Sequence, residues 1–118
     1  MSHPSEFYFP APRQQKFCSQ CGTLNVRKLL EGDNRERDLC EACGAVHYQN
    51  PRLVVGTLPI LEDKILLCLR AIEPRANTWT LPAGFMELGE AMDEGAARET
   101  KEEAGVRIEL GQLYTVIN

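Results

Sequence analysis

Apolar residues in the first half of the chain form short runs separated by turn-forming residues. This pattern predicts strands at residues 23–30 and 35–39, joined by a turn at residues 32–34 where Gly, Asp and Asn follow one another. Asn50 and Pro51 predict a junction, because a proline disfavours helix at the residue before it. The first half is therefore expected to be a small, separate strand unit.

Longer apolar runs after Pro51 predict further strands. Residues 52–61 and 64–70 are expected to pair as a hairpin across a short turn at residues 62–63. A polar loop at residues 73–78 then leads to a short strand at residues 79–81. Cys68 lies within an apolar run and is expected to be a small buried hydrophobic residue.

The segment from residue 82 onwards predicts a turn, one helix and two more strands. The turn is expected at residues 82–84, and the helix runs from about Ala91 to Ala104 with Gly105 as its C-terminal cap. Alternating or continuous apolar residues then predict strands at 106–110 and 113–117.

Composition and charge exclude some classes of protein. The chain has 118 residues and a formal net charge of −4, with 13 basic and 17 acidic side chains. It lacks the net basic charge that is typical of a sequence-independent nucleic-acid binder, so a nucleic-acid partner is not expected. No apolar run approaches the roughly 20 residues that span a bilayer, and the N-terminus has no signal-peptide pattern. We therefore expect a cytoplasmic protein without a membrane partner.

Four of the five cysteines share one pattern, two Cys-x2-Cys-Gly sequences separated by a spacer of 18 residues. Four thiolates at this spacing suit a tetrahedral zinc ion, and each glycine permits a tight turn after its cysteine pair. Two disulfides are the alternative, which a reducing compartment disfavours. Because four cysteines leave no open coordination position, we expect structural Zn²⁺ in a zinc ribbon, bound by Cys18, Cys21, Cys40 and Cys43.

Three glutamates lie on one face of the predicted helix. Glu99 precedes Glu102 by three residues and Glu103 by four, so the carboxylates are about one turn apart. A solvated acidic face is the commoner meaning of such a cluster. The alternative is a site for Mg²⁺ or Mn²⁺, since these cations prefer oxygen ligands.

The surrounding residues resemble the Nudix box of the Nudix hydrolases. The family pattern is Gly-x5-Glu-x7-Arg-Glu-U-x-Glu-Glu-x-Gly-U, where U is a bulky aliphatic residue, and this chain matches every fixed position from Gly84 to Val106. Thr100 is the one departure, at the first U position, where its β-branched side chain can still pack. The preceding segment, residues 79–85, also looks like the lead-in common in this family.

The resemblance implies a Nudix-type α/β/α sandwich with a mixed sheet, and hydrolysis of a nucleoside diphosphate linked to another group. It implies that Glu99, Glu102 and Glu103 bind catalytic Mg²⁺ or Mn²⁺, with the Gly84 carbonyl as a further ligand. Glu90 and Arg98 would pair and orient these ligands. Glu99 or Glu103 could be the general base. Trp79 and Phe85 could either stack on a base or pack beneath the box loop. His47 is expected to be a surface or packing residue and not a catalytic one.

The cysteine pattern, with residues 46–51, 56–59 and 66–74, resembles a zinc-ribbon subgroup related to ADP-ribose and FAD pyrophosphatases. ADP-ribose or FAD is therefore the preferred substrate, with release of AMP. NADH pyrophosphatases are similar, but they have a Ser-Gln-Pro-Trp-type motif shortly after the box, which Ile117 and Asn118 do not begin. A different class of function is a zinc-ribbon module that binds nucleic acid or protein beside an inactive Nudix remnant.

The expected organisation is an N-terminal arm at residues 1–17, a zinc ribbon at 18–50 and a Nudix domain at 51–118. The last segment is about half the length that the resemblance calls for, so it is expected to be the N-terminal part of a domain truncated at its C-terminus. A bare apolar sheet face and an unpaired edge favour association. A homodimer is therefore the expected assembly.

Overall fold

The computed structural model describes residues 13–118, so the first twelve residues of the predicted N-terminal arm lie outside the described part. The chain divides into two compact units, residues 1–51 and 52–118, which we call the N-terminal unit and the C-terminal unit. Between residues 13 and 118, the one helix is neither long nor apolar enough to cross a membrane.

The N-terminal unit is a three-stranded antiparallel sheet. Strands β1 (Val26–Leu29), β2 (Glu36–Leu39) and β3 (Val46–His47) lie in sequence order. The first two confirm the predicted pair, with shorter bounds, whereas β3 is an additional strand that the sequence pattern did not indicate. In the connecting turn the Asp33 amide donates to the Leu30 carbonyl at 3.1 Å. Both Asp33 carboxylate oxygens also accept bonds from Arg37, which joins the turn to β2.

The C-terminal unit contains three two-stranded pairings. The strands are β4 (Val54–Gly56), β5 (Ile60–Leu61), β6 (Lys64–Ile65), β7 (Cys68–Leu69), β8 (Trp79–Thr80) and β9 (Ala83–Phe85). They pair antiparallel as β4 with β9, β5 with β6 and β7 with β8. The predicted hairpin is confirmed at β5–β6, and the predicted strand at residue 79 is confirmed as β8.

Two predictions about this sheet are wrong. The strands at residues 52–61 and 64–70 are not continuous, and only short pieces of each are paired. The Leu66 amide donates to the Pro59 carbonyl at 3.0 Å, which continues the β5–β6 register by one pair. Pro59 has no N–H to return this bond, so the pairing ends there. Where a turn was predicted at residues 82–84, Pro82 is a bend, and the next two residues begin β9. Its backbone runs very close to β4, since a Cβ placed on Gly56 would lie 2.6 Å from the Ala83 Cβ.

The helix α1 (Met92–Ala104) confirms the predicted one. It begins without a side-chain N-cap bond, but the Glu94 carboxylate accepts the Ala91 amide at 2.9 Å. It ends at Gly105, which adopts φ 68° and donates its amide to the Lys101 carbonyl at 2.9 Å. The helix packs on β4 and β9 through a face of small or polar residues, Gly95, Ala96, Glu99 and Thr100.

The strands predicted after the helix are not formed. Residues 105–118 contain no strand, and from residue 109 onwards every side chain is exposed. An extended apolar segment becomes a strand only where a neighbour supplies backbone partners, and residues 13–118 supply none for this segment. Cys68 is half-buried, not fully buried as predicted. The mixed α/β class is confirmed by the one helix and the small sheets.

Candidate metal-binding sites

The four cysteines of the N-terminal unit converge on one point. Their sulfur atoms all lie within 4.8 Å of one another. The Cys18 and Cys43 sulfurs are 3.6 Å apart, and those of Cys21 and Cys40 are 3.4 Å apart. Tetrahedral zinc with Zn–S bonds of about 2.3 Å places sulfurs about 3.8 Å apart. All five cysteines are free thiols, so the geometry fits zinc and not the alternative of two disulfides.

Each cysteine pair is held by a short turn of the expected kind. Gly22 and Gly44 have φ values of 77° and 78°, which favour glycine. Their amides donate to the carbonyls of Cys18 and Cys40, each at 2.8 Å. The Gln20 amide donates to the Cys18 sulfur at 3.3 Å. The two turns therefore preorganise the sulfurs and place N–H groups toward developing negative charge.

The environment of Cys18 favours the thiolate. Burial raises the pKa of this thiol, but bonds from the backbone of Cys21 and Gln20 and from His47 outweigh it, so the pKa falls to about 6. The His47 Nε2 lies 3.3 Å from the Cys18 sulfur. His47 therefore packs against the cluster from β3, a position that its sequence context alone did not indicate.

In the C-terminal unit, Arg98 is at the centre of the carboxylate cluster. Its Nε and Nη2 atoms donate to the two oxygens of Glu90 at 2.9 and 2.8 Å. The Glu87 amide donates to the same carboxylate at 2.7 Å. The bonds from Arg98 and from this amide lower the pKa of Glu90 to about 2. Arg98 and Glu90 thus tie the loop before α1 to the middle of the helix.

The same guanidinium contacts two of the three helix glutamates. Its Nη1 donates to Glu99 at 2.8 Å and to Glu102 at 3.2 Å, and its Nη2 donates to the Phe85 carbonyl at 3.0 Å. The bonds to Glu90, Glu99 and Glu102 raise the pKa of Arg98 further above its ordinary value. One cation therefore offsets the repulsion between carboxylates that share a helix face.

Gly84 provides the space for the Glu99 carboxylate. Any Cβ at this position would overlap that carboxylate, so only glycine allows β9 and α1 to approach so closely here. Glu99 is 7 % exposed and directed at this backbone. The Glu99 carboxylate and the neighbouring backbone carbonyl of Gly84 both offer oxygen atoms, the ligand type that Mg²⁺ and Mn²⁺ prefer.

The structure does not bring all three glutamates together. Among residues 13–118, the cysteine cluster is the one group whose potential ligand atoms all approach within 4.8 Å. Glu99 is buried against Gly84, whereas Glu102 and Glu103 are exposed on the helix surface. Trp79 and Phe85, the aromatic candidates, are 66 % and 55 % exposed, so neither is packed away beneath the loop.

Two features of this site were missed from the sequence. The Thr100 hydroxyl is fully buried and lies 2.6 Å from the Thr57 hydroxyl, while also donating to the Ala96 carbonyl. Gly95 leaves room for Glu90, since a Cβ there would lie 2.6 Å from its Oε1. The first feature had a signal in the sequence, since Thr100 stands where the box pattern has an aliphatic residue. Its partner, Thr57, could be identified only from the fold.

Comparison with known families agrees with this geometry. Residues 16–49 match the zinc-ribbon family described as Nudix N-terminal, and residues 50–118 match the NUDIX domain. The chain therefore belongs to the Nudix family and carries its N-terminal zinc ribbon. Zn²⁺ at the cysteines and a divalent cation at the box are the cofactors that these two modules use.

The chain is also similar to individual named proteins. The chain is similar to a protein called NAD-capped RNA hydrolase NudC in Photobacterium profundum, at 36% identity over 98 residues, which are 80% of this chain and 34% of the relative. Its counterpart in Vibrio atlanticus is 35% identical over 100 residues, 81% of this chain and 34% of that protein. The chain thus spans about a third of the length of these curated relatives.

A solved structure has the same fold. The crystal structure of a NUDIX hydrolase from Nitrosomonas europaea is 53% identical in sequence and superposes with a TM-score of 0.81, covering 85% of this chain and 57% of that one. The predicted Nudix fold is confirmed by this likeness.

Proposed function

We propose that the chain contributes the metal-binding part of a pyrophosphohydrolase that splits the diphosphate between AMP and a second group. The observation that supports this most directly is the box pattern that runs from β9 through α1, with the Glu99 carboxylate buried against Gly84. In this proposal Glu99, Glu102 and Glu103 and the Gly84 carbonyl hold Mg²⁺ or Mn²⁺. When bound, that cation supplies charge neutralisation of the diphosphate and activation of water.

Glu90 and Arg98 act as positioning residues in this proposal. The Arg98 fork fixes the loop through Glu90 and the Phe85 carbonyl, and its third donor restrains Glu99 and Glu102. Carboxylates restrained in this way lose little side-chain entropy when a cation binds. The exposed rings of Trp79 and Phe85 are the proposed surfaces for a base or another planar group of the substrate.

The preferred second group is the nicotinamide nucleotide of NAD(H). The named relatives act on NAD-capped RNA according to their names, and they favour an NAD-type substrate over the ADP-ribose or FAD preferred from sequence. The argument against NAD(H) from sequence was that Ile117 and Asn118 do not begin a Ser-Gln-Pro-Trp-type motif. These two residues are weaker evidence than the similarity to the named relatives over about 100 residues. NAD at the 5′ end of an RNA is a larger form of the same substrate.

The test is AMP release by the purified chain with Mg²⁺ from NADH, NAD-capped RNA, ADP-ribose and FAD. We expect NADH or NAD-capped RNA to give the highest kcat/KM, and Glu103→Gln to lower the rate by about 100-fold or more. Glu109→Gln, an exposed glutamate outside the box, is the matched control. A higher kcat/KM for ADP-ribose or FAD would reverse the substrate assignment. Unchanged activity of Glu103→Gln would remove this glutamate from the metal site.

A homodimer remains part of the proposal. Large apolar side chains of the C-terminal unit are well exposed, including Ile60, Leu61 and Leu69 at 66, 79 and 51 %, and such exposure favours association. Light scattering of the purified chain tests this assembly directly, since a monomer mass at all concentrations would contradict it.

A further inference from the structure

Two threonine hydroxyls join α1 to the strand pair that carries Gly84. The Thr100 side chain is fully buried, and its hydroxyl lies 2.6 Å from that of Thr57, the residue after β4. A hydroxyl has a single hydrogen to donate, and Thr100 donates its own to the Ala96 carbonyl at 2.8 Å. The Thr57 hydroxyl is therefore the donor of the bond between the two threonines.

The side chain of Thr57 lies on the strand face that packs on α1. Val55 pairs with Gly84 in the antiparallel register, and a Cβ on Gly95 of the helix would lie 3.1 Å from the Val55 side chain. Val55 and Gly84 therefore both face α1. Side chains alternate along a strand, and Thr57 follows Val55 by two residues. Thr57 is thus on the same face as the space that Glu99 occupies.

These contacts form a closed ring that includes two candidate ligands of the cation, the Glu99 carboxylate and the Gly84 carbonyl. The Thr57 amide donates to the carbonyl of Pro82, two residues before Gly84, at 3.1 Å. The Thr57 hydroxyl donates to Thr100, the residue after Glu99. The ring closes where the Glu99 carboxylate meets the Gly84 backbone. Thr57 is therefore bonded to both of the segments that supply these ligands.

We propose that Thr57 is a positioning residue, which fixes through Thr100 the spacing between the Glu99 carboxylate and Gly84 and so favours Mg²⁺ over a larger cation such as Ca²⁺. This inference rests on the proposed function and adds to it the origin of cation selectivity. Mg²⁺ requires near-ideal octahedral geometry, whereas Ca²⁺ accepts a larger and more flexible set of oxygen ligands. A site whose ligands are held at one spacing therefore favours the smaller ion. The aliphatic residue of the family pattern at position 100 cannot accept this bond.

Calorimetric titration of the full chain with Mg²⁺ and with Ca²⁺ tests the inference. Thr57→Val keeps the shape of the side chain and removes the donor hydroxyl. We expect it to weaken Mg²⁺ binding about fivefold, in line with the loss of one hydrogen bond, and Ca²⁺ binding by less than about twofold. The matched control is Thr78→Val, which removes an exposed hydroxyl that donates to the Arg75 carbonyl in the loop before β8. This control should change neither affinity.

Two variants at position 100 separate positioning from a general loss of stability. Thr100→Val keeps the buried volume but cannot accept from Thr57, whereas Thr100→Ser keeps the hydroxyl and loses a buried methyl group. Both should lower the free energy of unfolding, but only Thr100→Val should lower the ratio of Mg²⁺ affinity to Ca²⁺ affinity. Adding Thr57→Val to Thr100→Val should lower this ratio no further, since both substitutions remove the same bond. Equal effects of Thr100→Ser and Thr100→Val on the ratio, or an unchanged ratio in Thr57→Val, would overturn the inference.

AMP release from the four substrates named above separates this inference from the proposed function. Mg²⁺ binding that weakens in Thr57→Val, in a chain that releases no AMP, would support the positioning role and reject the proposed activity. AMP release by a chain whose Mg²⁺ affinity is the same in Thr57→Val would support the activity and reject the positioning role. Absence of Mg²⁺ binding by the unaltered chain would reject both.

Discussion

In the N-terminal unit four sulfur atoms converge within 4.8 Å, whereas in the C-terminal unit the carboxylates are distributed around the guanidinium of Arg98. The sulfurs sit on two tight turns whose own backbone bonds set their positions. The carboxylates sit on one helix, where three like charges repel one another and long side chains remain free to turn. Glu99 alone is buried there, because Gly84 gives it space.

This difference shows how ligand type determines what a fold must supply. Each cysteine turn positions two sulfurs by its own backbone bonds, and the antiparallel strands between the turns bring the two pairs together. A carboxylate site needs a neighbouring strand that comes close, a cation that offsets the repulsion, and a second carboxylate that holds this cation. Gly84, Arg98 and Glu90 fill these three roles. Removing metal or one supporting residue should therefore affect the two units differently.

Zinc removal is the largest expected effect. Structural zinc contributes an apparent binding free energy of about 10–16 kcal/mol in small zinc-dependent modules. Chelation, or Cys40→Ser, should therefore unfold the β1–β3 sheet while α1 stays folded, because the described contacts of this helix are with β4 and β9. Zinc content and amide exchange of each unit check this.

The matched control is Cys68→Ser, which changes a half-buried thiol outside the cluster. It should leave both zinc content and the N-terminal sheet intact. If chelation unfolded α1 to the same extent as the β1–β3 sheet, the prediction that zinc removal unfolds only the N-terminal unit would be wrong.

Gly84→Ala should have the next largest effect. The added methyl overlaps the Glu99 carboxylate, so the carboxylate must leave its place or β9 must shift, at a cost of about 1–3 kcal/mol. We expect lower stability and about tenfold weaker Mg²⁺ or Mn²⁺ binding, measured by denaturant unfolding and calorimetry. Gly111→Ala, which meets nothing within 4 Å and has an ordinary φ, is the control that should change neither.

Glu90→Gln should alter the pH dependence of stability. The bonds from Arg98 and from the Glu87 amide hold the pKa of Glu90 at about 2 in the folded chain, below the unfolded value near 4.5. The stabilisation is therefore complete above pH 4.5 and is lost as the pH falls toward 2. The unaltered chain should be more stable than the variant at neutral pH, and this gap should narrow across that window.

Trp79 is the only tryptophan of the chain and lies in the C-terminal unit, so its fluorescence during urea unfolding reports on this unit. A difference in unfolding free energy between Glu90→Gln and the unaltered chain that stays constant from pH 7 to pH 2.5 would contradict a stabilisation that depends on the charge of Glu90.

Thr100→Val should give the smallest effect. The substitution restores the aliphatic residue of the family pattern, yet it removes a hydroxyl that lies 2.6 Å from Thr57. We expect a loss of about 1 kcal/mol in the free energy of unfolding, because the half-buried Thr57 hydroxyl loses its partner. The double variant Thr57→Val, Thr100→Val should recover part of this loss, which a double-mutant cycle measures. A stabilised single variant would contradict the role of this bond.

Much of the secondary structure near the candidate sites followed from local sequence. The cysteine turns and the helix with its Gly105 cap are set by residues a few positions apart, so spacing was sufficient. Strands depended on distant partners, and there the predictions failed: Pro59 interrupts one predicted strand, residues 83 and 84 pair with β4, and residues 105–118 pair with nothing in the described chain.

The sequence by itself determined the two metal-binding motifs, the helix that carries one of them and the family, because each is encoded by particular residue types at fixed spacings along the chain. Only the tertiary structure decided that Glu99 is buried against Gly84, that Arg98 joins Glu90 to Glu99, and that Thr100 finds Thr57. These contacts join residues from separate elements. Their energies depend on close approach across the β4–β9–α1 packing, which no local pattern contains.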